Sequence, residues 1–305
     1  MLARRFAPSL GFRGSICGCL LAGALSLGCD SGSSYEGEGA ADPGTAPGSS
    51  PDDTPTDVPS TLLPSLFGTP AQVGQGSSDD RWHKSEVQRD ELNYLFMANG
   101  WGPNFESQSV SWNGTAFTVD SMLGRQGAEY QPASYPTMFC GTYSDSQSGA
   151  CGLPKELSSI QSLRTGWRWS ANGNAGEYNA AYDVWLSTSS DITGHSSFLM
   201  IWLRDPPGQQ PAGQKRVNGI EVANAPGTWD IWAGKAGQLP IVNYVRREGQ
   251  DSPELEVDVM DFVRDVQARG LEMPGSVVLS VAVGFEIWEG PISGLQTQDF
   301  YVQVQ

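Results

Sequence analysis

The sequence predicts an all-β sandwich, and two observations carry that prediction. The first is composition: the 305 residues include 37 Gly and 10 Trp, whereas only 17% are charged. This balance is typical of glycine-punctuated, aromatic-rich β proteins. The second is patterning, because most of the chain beyond residue 80 alternates apolar and polar residues in short runs bounded by Gly, Asn and Pro. Antiparallel strands with one buried face produce this pattern, so we expect sheets packed face to face.

The charge balance and the histidine content exclude several kinds of function. Eighteen basic and 34 acidic residues give a formal net charge of −16. Nucleic acid is therefore not an expected partner, since phosphate binding needs clustered Lys and Arg. The two histidines, His83 and His195, are too few for a multi-histidine metal centre and make a Ser-His-Asp triad a weak hypothesis. We expect no metal and no other cofactor.

Three segments follow one another along the chain. Residues 1–29 have the pattern of a bacterial signal peptide, with arginines first and then a small and apolar run that ends in Leu-Ser-Leu-Gly-Cys. Residues 30–80 contain 24 Gly, Pro or Ser, nine acids and no base, which predicts a disordered linker that cannot offset the cost of ordering its backbone. Residues 81–305 have a size that suits a single sandwich domain, which we expect to be a monomer.

The end of the first segment resembles a lipobox, which predicts lipid attachment at Cys29. Ser26 differs from the apolar residue that is usual three positions before the cysteine, and secretion without lipid is the alternative. We expect an exported protein, either held in the cell envelope or released outside the cell. Membrane contact is expected only through the lipid anchor.

Two cysteines, Cys140 and Cys151, remain after those of the first segment are assigned. In an oxidising compartment a disulfide between them is the expected outcome. Closing so short a loop would stabilise the fold by about 2–3 kcal/mol. The alternative, a metal site, lacks further Cys or nearby His.

Three predicted strands have one apolar face and one face that mixes tryptophan, carboxylate and small residues. The mixed faces carry Asp183 and Trp185 in residues 182–186, Phe198, Met200 and Trp202 in residues 198–203, and Glu286 and Trp288 in residues 281–288. An indole can stack on the apolar face of a sugar while a carboxyl group reaches a hydroxyl or glycosidic oxygen. The pattern therefore indicates a carbohydrate cleft, and the alternative is a solvent-facing sheet covered by edge tryptophans.

One helix is expected between the strands. Ser252 would cap it, Pro253 would occupy its first position, and Glu254 and Glu256 would favour its positive end. Apolar residues then repeat at helical spacing up to Gly270, at Val259, Phe262, Val263 and Val266. We expect this helix to pack on the outside of a sheet.

Five motifs, in order and spacing, resemble glycoside hydrolase family 12. They are residues 99–102 (Asn-Gly-Trp-Gly), 134–136 (Ser-Tyr-Pro), 181–185 (Ala-Tyr-Asp-Val-Trp), 199–203 (Leu-Met-Ile-Trp-Leu) and 284–288 (Gly-Phe-Glu-Ile-Trp). The resemblance spans essentially all of residues 81–305. It implies a β-jelly roll of two curved antiparallel sheets with a concave cleft. It also implies endo-acting hydrolysis of β-1,4-glucans, such as cellulose, mixed-linkage glucan or xyloglucan, with retention of configuration.

The resemblance implies roles for individual residues as well. Retention needs two carboxyl groups about 5–5.5 Å apart, one a nucleophile and one a general acid/base. Glu286 matches the acid/base and Asp183 matches an assisting carboxylate, but Phe198 stands at the nucleophile position. The substrate-binding positions implied are Trp101, Asn99, Met200, Trp202 and Trp288.

A phenyl ring at position 198 offers no lone pair to attack the anomeric carbon and no charge to stabilise an oxocarbenium ion, so a normal double displacement cannot run. Loss of a like charge should also weaken the hold of Glu286 on its proton, with Asp183 compensating in part. Two hypotheses follow. In the first, the protein is an enzyme in which Asp183 has become nucleophile or base, or in which water attacks with inversion between carboxyls about 6.5–9.5 Å apart. In the second, it is a non-catalytic β-glucan-binding protein on a hydrolase scaffold.

Overall fold

The structure, a computed structural model, describes residues 65–305 except 129, 175, 190–193 and 248. The predicted signal peptide, Cys29 and residues 30–64 of the predicted linker lie outside the described residues. Within the described ranges the chain forms eighteen strands, one α-helix and a short 3₁₀ turn at Leu157–Ser159. The helix α1 is Val259–Ala268 and is too short to cross a membrane.

The strands in chain order are β1 (Gln72–Val73), β2 (Gln75–Ser78), β3 (Lys84–Arg89), β4 (Leu92–Met97), β5 (Phe105–Asn113), β6 (Ala116–Gly124), β7 (Thr137–Tyr143), β8 (Ser146–Gln147), β9 (Lys155–Glu156), β10 (Leu163–Ser170), β11 (Ala180–Ser187), β12 (Ser197–Arg204), β13 (Gln214–Val222), β14 (Ala225–Ala236), β15 (Leu239–Arg246), β16 (Glu254–Asp258), β17 (Val277–Gly284) and β18 (Leu295–Val304).

These strands form two sheets. The larger sheet has the order β1-β3-β4-β7-β17-β11-β12-β15-β14-β13, with β8 and β9 beside it, and the smaller has the order β16-β10-β18-β6-β5-β2. Among the described strand pairs, β12 and β15 run parallel and the others run antiparallel. The predicted all-β class, a jelly-roll sandwich of two largely antiparallel sheets with one packed helix, is confirmed.

An aromatic cluster occupies the core between the sheets. The ring of Phe285 lies 5.6 Å from that of Trp167, 6.0 Å from that of Trp169 and 5.9 Å from that of Phe117, measured between centroids. All four side chains are buried, and burying a large apolar side chain stabilises a fold by about 1.5–3 kcal/mol. Glu286, the next residue in the chain, lies beyond the end of β17 and is only partly buried, so it does not belong to this core.

The helix begins later than the sequence predicted. Residues Glu254–Asp258 form strand β16, which pairs with β10. Leu255 and Val257 are buried while Glu256 is only partly so, which is the two-residue period of a strand. The proposed cap at Ser252 is therefore wrong, because the acidic residues after it belong to an extended segment.

The cap of the helix is Asp258, whose side chain accepts a hydrogen bond from the backbone N–H of Met260 at 2.9 Å. A carboxylate at this position satisfies an N–H that has no partner within the helix. The helix packs through Phe262, whose ring lies 5.5 Å from that of Trp229 and 4.9 Å from that of Tyr244.

The ordered domain begins before residue 81, so the predicted end of the linker at residue 80 is wrong. Strand β1 pairs with β3 in the larger sheet and β2 pairs with β5 in the smaller. Gly74 joins them at φ +92°, in the left-handed region that favours glycine. Upstream, Phe67 packs edge-on against Tyr301 at 5.4 Å. The polar segment is ordered because pairing with distant strands satisfies its backbone groups, not because it buries much apolar surface.

Cys140 and Cys151 are joined by a disulfide, with their Cα atoms 5.8 Å apart. Both residues are buried. The bond links strand β7 to the segment beyond β8, close to the centre of the larger sheet.

Candidate active site

One face of the larger sheet forms the floor of a cleft. In the pairing register, Asp183 on β11 lies opposite Met200 on β12, and Met200 lies opposite Asn243 on β15. In a second row, Phe198 lies opposite Trp185. The lining residues are Trp101, Tyr130, Tyr135, Tyr143, Asp183, Trp185, Phe198, Met200, Trp202, Gln210, Ala212, Ala236, Ile241, Asn243, Glu286 and Trp288.

The structure therefore brings most of the sequence-predicted site residues together. Asn99 is the exception, because it does not line the cleft. Its backbone is in the left-handed region at φ +49°, and its carbonyl oxygen accepts a hydrogen bond from the N–H of Tyr135 at 3.0 Å. Asn99 thus shapes the turn that precedes Trp101, and the geometry gives its side chain no direct place in the cleft.

Trp101 lies at the wall of the cleft with 39% of its surface exposed. The guanidinium of Arg81 donates hydrogen bonds to the carbonyl oxygens of Gly100 at 2.5 Å and Gly102 at 3.1 Å, on either side of Trp101. The same guanidinium stacks on the ring of Phe105 at 4.3 Å. These contacts fix the backbone on both sides of Trp101, so its exposed indole is held in place at the cleft wall.

Glu286 is held by Asn179, a residue that sequence reasoning missed. The side-chain amide of Asn179 donates to Glu286 Oε2, and its Oδ1 accepts from the backbone N–H of Glu286 at 3.1 Å. The backbone N–H of Asn179 also donates to the carbonyl oxygen of Glu286 at 3.0 Å. Asn179 lies just before strand β11, and its partner Glu286 lies beyond the end of β17, so no local pattern in the sequence pointed to this contact.

The pKa of Glu286 is raised to about 7, mainly by burial and also by repulsion from the Asp183 carboxylate, while the hydrogen bond from Asn179 opposes the rise. A carboxyl with a pKa near 7 is protonated in an appreciable fraction at neutral pH. A general acid that protonates a leaving oxygen needs this property. The expected weakening of this acid is thus opposed mainly by desolvation, which does not depend on a second glutamate.

Asp183 lies in the cleft floor and is almost wholly buried. Its Oδ2 accepts hydrogen bonds from the indole N–H of Trp185 at 2.7 Å and from the hydroxyl of Tyr143 at 3.3 Å. Its Oδ1 has no partner among the described residues. Burial raises the pKa of Asp183, and although the two hydrogen bonds oppose this rise, the pKa reaches about 7.

Phe198 belongs to an aromatic group at the edge of this floor. Its ring lies 5.3 Å from that of Trp185 and 5.0 Å from that of His195, and the last two lie 4.3 Å apart. Burial lowers the pKa of His195, so its imidazole is mostly neutral at pH 7. Among the described residues that line the cleft, the carboxyl groups are those of Asp183 and Glu286.

Comparison with known proteins agrees with this architecture. Residues 93–305 match the family model described as glycosyl hydrolase family 12. A probable xyloglucan-specific endo-β-1,4-glucanase A from Aspergillus terreus is 29% identical over 155 residues, an alignment that covers 50% of this chain and 59% of that protein's length. Endoglucanase S from Pectobacterium parmentieri is 28% identical, with 75% of this chain and 89% of that protein covered.

Among solved structures, endoglucanase cel12A from Rhodothermus marinus superimposes with a TM-score of 0.65 at 28% identity, covering 75% of this chain and 99% of that one. The family model matches well over half of the chain and includes every strand from β5 onwards. On that match, this chain belongs to glycosyl hydrolase family 12.

Proposed function

We propose that this protein binds β-1,4-glucan in the cleft and does not cleave it by retaining double displacement. The observation that carries the proposal is the cleft face of strand β12, which consists of Phe198, Met200 and Trp202. All three side chains are apolar or aromatic. A retaining hydrolase needs a carboxylate opposite its acid/base, and β12 supplies none.

Binding is supported by the mixture of aromatic and polar groups along the cleft. Trp101, Trp202 and Trp288 offer indole rings, while Asp183 and Glu286 offer carboxyl groups at the floor and wall. Stacked sugars present an apolar C–H face to an aromatic ring and hydroxyl groups to the side. A relative named as a probable xyloglucan-specific endo-β-1,4-glucanase and another named as an endoglucanase support the same ligand class.

A second candidate function is hydrolysis through Asp183. The favouring observation is the unpartnered Oδ1 of Asp183 in the same cleft as Glu286, with burial raising both pKa values to about 7. The two groups repel, so near neutral pH one ionises before the other. The ionised Asp183 would take a proton from water as it adds to the anomeric carbon, and Glu286 would protonate the departing glycosidic oxygen. The product would have inverted configuration.

The test combines calorimetric binding with a reducing-sugar assay on soluble β-glucans, using wild type, Asp183→Asn and Glu286→Gln. Glu289→Gln is the matched control, because Glu289 is an exposed acid beside the cleft residue Trp288. Binding without sugar release supports the proposed function. Sugar release that both variants abolish and the control keeps supports the second candidate. A wild type that neither binds nor cleaves any β-glucan contradicts both.

We also propose that the protein works outside the cytoplasm, anchored through Cys29. The pattern of residues 1–29 supports export, and so does the disulfide, since such bonds persist in oxidising compartments. Cys29→Ala should move the protein from the detergent-soluble membrane fraction into the medium or the soluble envelope fraction. An unchanged distribution would contradict lipid anchoring.

A further inference from the structure

Four buried polar atoms of the cleft have no hydrogen-bond partner among the described residues. They are Asp183 Oδ1, Asn243 Oδ1, Trp202 Nε1 and Trp288 Nε1. An unpaired buried polar group is costly to a fold. Two acceptors and two donors held in one apolar-walled cleft match a ligand whose hydroxyl groups both donate and accept.

Asn243 is the least expected member of this set, because no sequence motif pointed to it. It is wholly buried on β15. Its side-chain N–H donates to the carbonyl oxygen of Ala212 at 3.0 Å, which fixes the orientation of the amide. The group left free is therefore the acceptor Oδ1, and it belongs to a side chain that lines the cleft.

The register of the sheet places Asn243 opposite Met200, and Met200 opposite Asp183. Neighbouring strands are about 4.8 Å apart, so the backbones of Asn243 and Asp183 are separated by about 10 Å. Between them the thioether of Met200 provides an apolar floor. Two acceptors thus flank one apolar side chain across the width of the cleft.

We propose that Asn243 and Asp183 are the paired acceptors of one sugar subsite, and that Asn243 is a specificity-determining residue. The inference rests on the proposed function of the cleft. The ligand is a pyranose whose apolar face lies on Met200 and whose equatorial hydroxyl groups, on opposite edges of the ring, donate to the two acceptors. A glucose unit of a β-glucan has this arrangement, whereas an axial hydroxyl would point away from its acceptor.

The test measures cellotetraose affinity by calorimetry for wild type and Asn243→Leu, which keeps a similar volume and removes the acceptor. Losing a hydrogen bond of ordinary strength should weaken binding about tenfold. Thr142→Val is the matched control, since Thr142 Oγ1 is also buried and unpartnered but does not line the cleft. The control should stay within about twofold of wild type.

If Asn243→Leu binds cellotetraose as tightly as the wild type does, this inference is overturned and the proposed function is not. If the wild type does not bind cellotetraose, the proposed function itself is contradicted. If Asn243→Leu does not fold, nuclear magnetic resonance of the wild type provides a second test. The side-chain amide signal of Asn243 in the wild type should shift on addition of cellotetraose. An unmoved signal at saturating ligand would also overturn the inference.

Discussion

Replacing Asp183 with Asn should remove much of the pH dependence of folding stability. Both hydrogen bonds to this carboxyl end on Oδ2, from Trp185 and Tyr143. An amide oxygen can accept both bonds, and the amide nitrogen then takes the place of the unpartnered Oδ1. The substitution therefore removes a titrating charge while leaving the surrounding contacts in place.

The magnitude follows from the two pKa values of Asp183. Burial raises the pKa from 3.8 to about 7 in the folded protein. A carboxyl group whose pKa is higher in the folded state contributes stability that is fully present below the unfolded pKa. This contribution is lost as the pH rises through the folded pKa. Each pH unit between the unfolded and the folded pKa costs about 1.4 kcal/mol. The loss stops above the folded pKa, so the free energy of unfolding should fall by about 2–3 kcal/mol from pH 5 to pH 8 on account of Asp183.

Glu286 contributes in the same direction, since its pKa is raised from 4.5 to about 7. In the Asp183→Asn variant the pKa of Glu286 should be lower, because part of its rise comes from the Asp183 charge. The wild type should thus lose stability more steeply with pH than one group explains. The variant should keep only the part that belongs to Glu286.

The assay is urea unfolding followed by tryptophan fluorescence at pH 5, 6, 7 and 8, for the wild type and for Asp183→Asn. Glu289→Gln, a change at an exposed acid, should follow the wild-type curve. If Asp183→Asn loses stability between pH 5 and pH 8 as steeply as the wild type, the fold does not disfavour the Asp183 charge, and the reasoning is refuted.

Three further outcomes are expected. Phe198→Glu should raise reducing-sugar release from soluble β-1,4-glucan, because it adds a nucleophile and a like charge that keeps one carboxyl protonated; rapid wild-type hydrolysis that this variant abolishes would contradict the reasoning. Trp101→Ala should weaken retention in a glucan affinity gel severalfold by removing a stacking surface, and unchanged mobility would exclude the loop from binding. Cys151→Ser should lower the free energy of unfolding by about 2–3 kcal/mol in urea, while mass spectrometry of exported wild type should find no free thiol at Cys140 or Cys151.

The sequence predicts this fold well wherever strand alternation is local. It fails at residues 254–258, because Pro253 and the acids after it suit a helix start as well as a short strand. Leu255 and Val257 were the only local sign of a strand period, and two residues are too few to decide. It fails again at residues 72–78, whose order comes from pairing with β3 and β5, partners that no local pattern reports.

In the candidate site, too, local patterns could be read from the sequence, whereas contacts with distant residues could not. Asp183 and Glu286 could be placed on cleft-facing positions from alternation alone. Asn179 and Asn243 could not, because their significance lies in hydrogen bonds to Glu286 and Ala212 on other parts of the chain. The pKa of Glu286 was likewise beyond reach, since its rise depends first on desolvation in the folded protein.

At Gly74 the N-terminal segment passes from the larger sheet to the smaller, and this path protects the molecule from self-association. One short strand of this segment covers part of β3 and the next covers part of β5, so a single stretch of chain protects an edge of each sheet. Uncovered edges present rows of unpaired N–H and C=O groups that template pairing with another copy. A shortened chain starting at Arg81 would expose both edges at once, and intermolecular strand addition, leading to aggregation, is the physical risk of such a truncation.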